Sequence, residues 1–251
     1  DSPRNSKCVD GERFIPVDLV DLPGLVPGAW EGRGLGNQFL DEVRKADALI
    51  HVVDSSGSTD SEGKLTAPGS HDPLEDVRFL ERELEMWMFQ ILNREWEKIS
   101  RRPDLTGEEL ALAVAERMSG LGVKRFQVEE GLKLAGLRGK PSAWSKDDIL
   151  RLVGFLRRFS KPVLLAANKI DLPTASKNAD RLKQADELAV PVSAEAELAL
   201  RRAAEKGLIQ YKPGDHDFSV NPKAELTPEQ KTALEMIMMR VLQPAGTTGV
   251  Q

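Results

Sequence analysis

Runs of apolar residues that end at a polar or turn-forming residue mark the strands that this sequence predicts. They are the runs at 13–20, 48–53, 163–167 and, more weakly, 188–192. Elsewhere apolar residues recur every three or four positions, which is typical of a helix with one buried face. This spacing predicts helices over 37–46, 77–99, 107–118, 124–136, 145–159 and 195–206. A last helix is predicted from Thr227, because Pro228 and Gln230 complete an N-terminal cap.

The order of the predicted elements indicates an α/β fold that is interrupted by a helical region. Strand patterns occur in 1–71 and 161–251, whereas 72–160 carries helical patterns alone. Ordinary connections between strands are far shorter, so 72–160 is predicted to be an inserted, coiled-coil-like helical domain rather than a loop. Two loops are expected in the first part: a mobile, glycine-rich one at 25–36 and one rich in Ser, Thr, Gly and Pro at 55–72.

Composition excludes several classes of protein. The 40 Asp and Glu residues exceed the 35 Lys and Arg residues, and the net charge of -5 argues against a protein that binds DNA by sequence. A single cysteine, Cys8, leaves no pair for an internal disulfide and is usual in the reducing cytoplasm. The apolar runs are too short to cross a membrane. We therefore expect a cytoplasmic protein without a membrane partner.

The sequence Asn168-Lys169-Ile170-Asp171 follows the predicted strand at 163–167. In open α/β sheets ligands bind at the carboxyl ends of strands, which is where this motif lies. The Asp171 carboxylate can accept two parallel hydrogen bonds from the N1–H and the amino group of guanine, whereas adenine would place a lone pair against it. Asn168 can bond the base and tie neighbouring loops together, and the Lys169 stem can cover a face of the base. Alone, the motif also fits a surface turn, so its position is what favours a guanine site.

A second candidate segment is Pro191-Val192-Ser193-Ala194, again after apolar residues. The backbone N–H groups of Ala194 and Glu195 can donate to the guanine O6, where adenine carries an amino group. A serine in this place is also common at the start of an ordinary helix. The interpretation as a guanine loop therefore depends on the preceding motif.

The phosphate end of a nucleotide is assigned to Asp21-Leu22-Pro23-Gly24, after the run at 13–20. The Asp21 carboxylate can hold a water of a bound Mg²⁺, and the Gly24 N–H can donate to a γ-phosphate because no side chain obstructs it. An Asp-x-x-Gly sequence is also a frequent turn. The glycine-rich segment at 25–36 is what a switch that responds to that phosphate requires.

Other candidate sites are weaker. Asp54, Ser56, Ser58 and Asp60 alternate as in a calcium loop, but the glycine at the sixth position and the glutamate at the twelfth are missing. The charged residues Glu81, Arg82, Glu83 and Glu85 are interpreted as the solvated face of a helix rather than a site.

The quoted segments resemble the Obg-related GTPases, specifically the archaeal type of the YchF-like branch. Switch II of that family resembles the string at 21–40, which reads Asp-Leu-Pro-Gly-Leu-Val-Pro-Gly-Ala-Trp-Glu-Gly-Arg-Gly-Leu-Gly-Asn-Gln-Phe-Leu. Residues 47–54 resemble its next strand, and 193–202 resemble its guanine loop and following helix. The helical region at 72–160 also fits the family. The resemblance implies a P-loop-NTPase-type GTPase fold with an inserted helical domain.

The resemblance further implies a switch that cycles between GTP and GDP, usually in association with the ribosome or a translation factor. Leu25 stands where many small GTPases carry a water-orienting glutamine, so no catalytic side chain is assigned. Hydrolysis would then rely on Mg²⁺, a monovalent cation or a partner. Some YchF-like members depart from Asn-Lys-x-Asp and prefer ATP, but the motif is intact here and favours GTP.

No Gly-x-x-x-x-Gly-Lys-Ser/Thr phosphate loop occurs in the 251 residues. The closest string, at 136–142, is two residues too short between its glycines and has proline in place of the hydroxyl residue. We therefore interpret the chain as an internal piece of a GTPase, without the first strand, the phosphate loop and the C-terminal TGS domain, and expect it alone to bind GDP weakly or not at all. Two functions stay open: a GTP-hydrolysing switch, or a nucleotide-free module that docks on a ribosome or protein partner.

Overall fold

The computed structural model describes residues 17–102, 105–185 and 188–250, together with the backbone of 8–9 and 12–13. Its strands are β1 (Cys8–Val9), β2 (Glu12–Arg13), β3 (Leu49–Asp54), β4 (Val163–Asn168), β5 (Ala189–Pro191), β6 (Ile209–Gln210) and β7 (Ser219–Val220). Its α-helices are α1 (Gly36–Lys45), α2 (Pro73–Ser100), α3 (Gly107–Arg117), α4 (Arg125–Leu134), α5 (Lys146–Ser160), α6 (Ala175–Ala185), α7 (Ala194–Glu205), α8 (Pro228–Ile237) and α9 (Gln243–Ala245). A 3-10 turn at Ala29–Glu31 precedes α1, and a π-helical turn at Met238–Leu242 joins α8 to α9.

A parallel three-stranded sheet in the order β3–β4–β5 positions the loops of interest. Leu49 pairs with Val163 and Asp54 pairs with Asn168, so β3 and β4 end level with each other. β5 pairs with the other side of β4. Because the strands are parallel, their carboxyl ends meet at one edge of the sheet. The α/β architecture predicted from the sequence is therefore confirmed.

The strand predicted over 13–20 is wrong for its second half. Residues 14–16 lie outside the described residues, and 17–20 form no strand. Val17, Leu19 and Val20 are 75%, 79% and 64% exposed. Within the described residues β3 pairs with β4 alone, so the apolar run has no strand beside it. An apolar run becomes a strand only where a neighbouring strand can pair with it.

Capping side chains fix where the helices of the 72–160 region begin. The Asp72 carboxylate accepts a hydrogen bond from the Leu74 N–H at 3.1 Å, at the start of α2. Thr106 and Ser145 form capping boxes before α3 and α5. These helices and α4 confirm the helical patterns predicted between 77 and 159, with ends that differ by a few residues. None of the helices in the described ranges combines the length and the apolar character needed to cross a bilayer.

One apolar core runs through the sheet and the helical region. It joins side chains of α1, β3 and β4 to side chains of α2, α3, α4 and α5. Leu84, Leu92, Leu152 and Leu165 are among its fully buried members. The division at 72 and 160 into a GTPase part and an inserted domain stays a prediction, since the two parts share this core.

The C-terminal part adds elements that the apolar pattern did not predict. These are α6, the β6–β7 hairpin and the short α9. α6 buries only Ala175 and Leu182, which are too few apolar positions to reveal a helical period. A second, smaller core around Leu200, Ile209 and Leu242 joins α7 and the hairpin to α8.

Candidate functional site

Asn168 ties together the loops that follow three strands. Its Oδ1 accepts hydrogen bonds from the Lys169 N–H at 2.9 Å and from the Ala194 N–H at 3.1 Å. Its carbonyl accepts the Ser55 N–H at 3.0 Å and the Ser55 hydroxyl. Asn168 therefore connects the end of β4 to the loop after β3 and to the start of α7. This is the linking role that the sequence predicts for it.

Asp171 and Ser193 join the two segments that the sequence assigns to a base. The Ser193 Oγ donates to Asp171 Oδ1 at 2.7 Å and accepts from the Ala196 N–H at 3.3 Å. Ser193 is fully buried. Its single hydroxyl both caps the N-terminus of α7 and orients the Asp171 carboxylate. Asp171 is partly exposed, and within the described residues its Oδ2 makes no hydrogen bond. The arrangement leaves Asp171 with acceptor capacity at the carboxyl edge of the sheet.

The two predicted backbone donors, Ala194 and Glu195, differ in the structure. Both residues are exposed and lie in the first turn of α7. The Ala194 N–H already donates to Asn168, whereas the Glu195 N–H makes no hydrogen bond within the described part of the chain. The first N–H groups of a helix have no acceptor inside the helix and suit an external one. Glu195 is therefore the better placed of the two donors.

The Lys169 side chain is held at its tip. Its backbone has φ of 66°, in the left-handed region that residues other than glycine rarely adopt. Its Nζ lies 2.8 Å from Asp54 Oδ2 and 3.3 Å from Ser58 Oγ. Asp54, the last residue of β3, is thus a member of the site that the sequence did not assign. Its position at the end of a strand is the signal in the sequence that marks it, whereas the alternating polar residues suggest a calcium loop.

Asp54 collects donors from the loop that follows it. The Ser56 N–H, the Ser58 hydroxyl and the Thr59 hydroxyl donate to its carboxylate at 3.0, 2.9 and 2.8 Å. Burial acts to raise the pKa of Asp54, but the hydrogen bonds from Lys169, Ser56, Thr59 and Ser58 outweigh it and hold the pKa well below its usual range. Asp54 is therefore an anion throughout the physiological range and a fixed partner for the lysine.

The loop at 55–72 is fastened to α6 as well. The Thr174 hydroxyl donates to the Ser56 carbonyl at 2.8 Å, and the Asn178 amide donates to the Ser55 carbonyl at 2.9 Å. Gly57 adopts φ of +62°, and a Cβ there would lie 2.3 Å from the His71 carbonyl oxygen. This glycine is needed for the close approach of the two ends of the loop.

Asp21 and Gly24 lie apart from this network. Both are exposed, in a stretch without regular structure, and within the described residues neither makes a hydrogen bond to 168–171 or 193–195. A Cβ at Gly24 would meet no atom within 4 Å, so the space beside it is open. No group of three or more His, Cys, Asp or Glu side chains in the described residues is arranged to hold a metal ion. A carboxylate that binds a Mg²⁺ water alone needs no such group, and the role of Asp21 stays a prediction.

Glu83 connects the glycine-rich segment at 25–36 to the helical region. It is 5% exposed, and its carboxylate accepts the Gly28 N–H at 2.9 Å and the Trp30 N–H at 3.1 Å. The interpretation of 81–85 as a solvated helix face is wrong for this residue, because the 3-10 turn at Ala29–Glu31 packs over it. The sequence of α2 shows that Glu83 is charged, but it does not show that the segment at 25–36 covers this residue.

The other two acidic residues of this face pair with a buried arginine. Arg157 Nη2 lies 2.7 Å from Glu81 Oε1 and 3.5 Å from Glu85 Oε1, and the Arg157 side chain is 5% exposed. The pair joins α2 to α5. Both carboxylates are partly exposed and Arg82 is exposed, so the solvated-face interpretation is wrong for Glu83 but agrees in part with the rest of this face.

Glu197 fastens the C-terminal residues 246–250 to the start of α7. Its buried carboxylate accepts hydrogen bonds from the Tyr211 hydroxyl at 2.5 Å, the Thr248 hydroxyl at 2.6 Å and Arg201 Nε at 2.5 Å. The Thr248 carbonyl accepts the Ser193 N–H at 2.9 Å. Residues 246–250, the C-terminal strap, therefore support the serine that orients Asp171.

The contribution of Glu197 is expected to depend on pH. Burial acts to raise the pKa of Glu197, but the hydrogen bonds from Thr248, Tyr211 and Arg201 hold it below its ordinary value. Its folded pKa is then lower than its unfolded pKa, so the carboxylate stabilises the fold above the unfolded pKa of about 4.3, and this stabilisation is lost as the pH falls through the folded pKa. Glu197→Gln is expected to lower the free energy of unfolding by about 1–2 kcal/mol at neutral pH and by less in acid.

Urea unfolding of the two proteins from neutral pH down to about pH 3 checks this expectation. Glu205→Gln, an exposed change at the other end of α7, serves as the control and is expected to have little effect at any pH. A cost of Glu197→Gln that is the same at neutral and acid pH would contradict the role of the charge.

Two family models match this chain. One, described as a 50S ribosome-binding GTPase, matches residues 4–93. The other, described as the G4 motif-containing domain of Obg-like, YGR210-like GTPases, matches residues 166–251. The second range contains both segments that meet around Asn168.

Similar proteins match the whole length of the chain. A GTP-binding protein of Methanocaldococcus jannaschii is 44% identical over 252 residues, which cover 100% of this chain and 62% of the relative. A GTP-binding protein of Schizosaccharomyces pombe is 36% identical, covering 97% of this chain and 61% of the relative. The crystal structure of a GTP-binding protein from Pyrococcus horikoshii superimposes with a TM-score of 0.72 at 38% identity, covering 100% of this chain and 63% of that one. The chain thus spans about three fifths of the length of these relatives, and the α/β GTPase fold is confirmed.

Proposed function

Because the chain belongs to the Obg-like GTPase family, we propose that it carries the guanine-recognition part of a GTP-binding switch. The observation that carries the proposal is the joining of 168–171 to 193–195 by Asn168, Asp171 and Ser193. Two segments 22 positions apart in sequence form one edge. This edge carries the Asp171 carboxylate and the Glu195 N–H, which has no acceptor among the described residues.

The arrangement suits guanine better than adenine. Asp171 accepts from the N1–H and amino group of guanine, and the Glu195 N–H donates to O6. Adenine reverses the polarity at both places, which leaves polar groups of the site unpaired. The Lys169 stem covers one face of the base. An ATP-using protein of the same family is the less favoured alternative, because it would have no use for Asp171.

The phosphate end of the proposed site consists of Asp21 and Gly24. Asp21 would hold Mg²⁺ through a water, and the ion would neutralise charge on the phosphates. Gly24 is exposed and the space beside its Cα is open, which leaves room for a γ-phosphate to approach its N–H. No catalytic side chain is proposed. GTP hydrolysis by the whole protein would depend on Mg²⁺, a monovalent cation or a partner.

The proposed partner of the whole protein is the ribosome or a translation factor. The description of the family model that matches 4–93 supports this partner. A different function, a nucleotide-free interaction module, would leave the Asp171 carboxylate without a ligand. The two functions are separated by a test of base binding.

The variant Asp171→Asn is expected to change the base preference of the site from guanine toward xanthine. Its amide still accepts from Ser193 but presents a donor to the base, so guanosine is expected to bind at least about tenfold more weakly. Xanthosine, which has a carbonyl in place of the amino group, is expected to bind the variant better than the original chain. Ligand-observed NMR titrations with guanosine, xanthosine and adenosine at millimolar concentration measure these affinities.

Asp180→Asn, an exposed change on α6, is the control and is expected to leave all three affinities unchanged. Equal loss of guanosine and adenosine binding in Asp171→Asn would contradict guanine recognition. A chain that binds none of the three nucleosides would favour the interaction module.

A further inference from the structure

We propose that Asp54 is a positioning residue of the guanine site, which holds the Lys169 ammonium so that the lysine stem forms a fixed wall against one face of the base. The inference rests on the proposed function. It adds a residue from β3 to a site that was assigned to the loops after β4 and β5.

Lys169 is held at both ends of its side chain. At the backbone end, its N–H donates to Asn168 Oδ1 at 2.9 Å, and its left-handed φ of 66° fixes the direction of the Cα–Cβ bond. At the tip, Nζ lies 2.8 Å from Asp54 Oδ2. A lysine has four rotatable side-chain bonds and ordinarily points freely into water. Here the stem is stretched between two anchored points.

Asp54 is itself held by hydrogen bonds and largely buried. Its side chain is 10% exposed, whereas that of Lys169 is 34% exposed. Ser56, Ser58 and Thr59 each donate a hydroxyl hydrogen bond to its carboxylate. Two of the four residues that resemble a calcium loop in the sequence, Asp54 and Ser58, thus contact the Lys169 ammonium group. The positive charge that this loop contacts is therefore the side chain of Lys169 and not a metal ion.

The strand register explains why these two residues meet. Asp54 pairs with Asn168 at the last position of the β3–β4 ladder, so the residue after Asn168 emerges beside Asp54. A slip by one residue would reverse the faces of the side chains and separate them. The contact therefore belongs to the sheet and is present before any ligand binds.

Fixing the stem in advance lowers the cost of binding. A free lysine would lose rotamer freedom when a base packs against it, whereas the held lysine has lost it already. The stem touches the flat face of the base, which guanosine and inosine share. Loss of Asp54 is therefore expected to weaken both nucleosides equally, unlike Asp171→Asn, which acts on the edge where they differ.

A double-mutant cycle tests the inference. In NMR titrations, Asp54→Asn is expected to lower the affinity for guanosine and for inosine about three- to tenfold. Lys169→Met, which keeps an apolar stem but loses the ammonium group, is expected to lower both affinities by a similar factor. If Asp54 acts through Lys169, adding Asp54→Asn to Lys169→Met costs no further affinity. Asp60→Asn, a partly exposed change in the same loop whose Oδ1 can still accept the Glu62 and Lys64 N–H groups, is the matched control.

Additive losses in the double variant would overturn the positioning role, because they would show that Asp54 acts without the lysine. If Asp54→Asn does not fold, Lys169→Met is compared with Lys169→Ala. Lys169→Met, whose stem is not held at its tip, is expected to bind guanosine as weakly as Lys169→Ala, which has no stem. If Lys169→Met binds guanosine as tightly as the original chain, the inference is also overturned. A chain that binds no guanosine at all would instead defeat the proposed function and, with it, this role.

Discussion

Glu83→Gln is expected to lower the free energy of unfolding by about 2–3 kcal/mol, because one of the two partly buried backbone N–H groups that donate to this carboxylate loses its acceptor. The carboxylate accepts from Gly28 and Trp30 with its two oxygens. A glutamine of the same shape keeps one oxygen and turns an amino group toward the other donor. Urea unfolding followed by tryptophan fluorescence measures the loss.

Glu97→Gln on the same helix is the control for this substitution. Glu97 is exposed and pairs with Arg101 at the surface, where an ion pair contributes little, so the change is expected to cost under about 1 kcal/mol. A cost of Glu83→Gln as small as that of the control would show that the 25–36 segment is not held by α2. In the proposed switch, the same contact would connect the segment that follows Gly24 to the helical region.

Leu152→Ala is expected to cost about 2–5 kcal/mol, since it opens a cavity in a close-packed core. Leu152 is fully buried in α5, and a Cβ added at Gly131 of α4 would lie 3.2 Å from its Cδ1. The core that contains Leu152 continues into β3 and β4. The variant is therefore expected to destabilise the sheet together with the helices.

Two probes in one urea titration check this result. Tryptophan fluorescence reports largely on the helical region, which contains Trp87, Trp96 and Trp144, and amide hydrogen exchange reports on β3 and β4. Leu134→Ala, at an exposed position of α4, is the control with an expected cost under about 0.5 kcal/mol. A helical region that unfolds in the variant while the strand amides stay protected would show that 72–160 is an independent domain.

The sequence predicted the elements whose signal is local. β4 is a continuous apolar run, and α8 begins where Thr227 forms its capping box, as the residues indicate. Asn168, Asp171 and Ser193 were identified because their motif follows a strand. Each of these features depends on residues that are close together in the chain, so it can be predicted from the sequence alone.

The features that escaped prediction depend on distant partners. Glu83 has the charge of a surface residue, and only its cover by the 25–36 segment makes it a buried acceptor. Asp54 needs the register of β3 against β4 to meet Lys169, and Val17 would need a neighbouring strand to extend the sheet. The sequence pattern indicates which environment a residue favours, but it does not show which distant segment packs beside that residue.

The pairing of β3 with β4 has a consequence for how the chain is made. Asp54 and Lys169 are 115 positions apart, and the whole helical region is synthesised between them. At ordinary rates of translation, roughly 6 to 23 seconds pass before β4 follows β3 out of the ribosome. The helices of the intervening region form from local contacts and can fold in that interval, whereas the closing of so long a loop comes late. The edge of the sheet that would read the base therefore assembles only after β4 has been made, and until then the backbone of β3 lacks the strand with which it pairs.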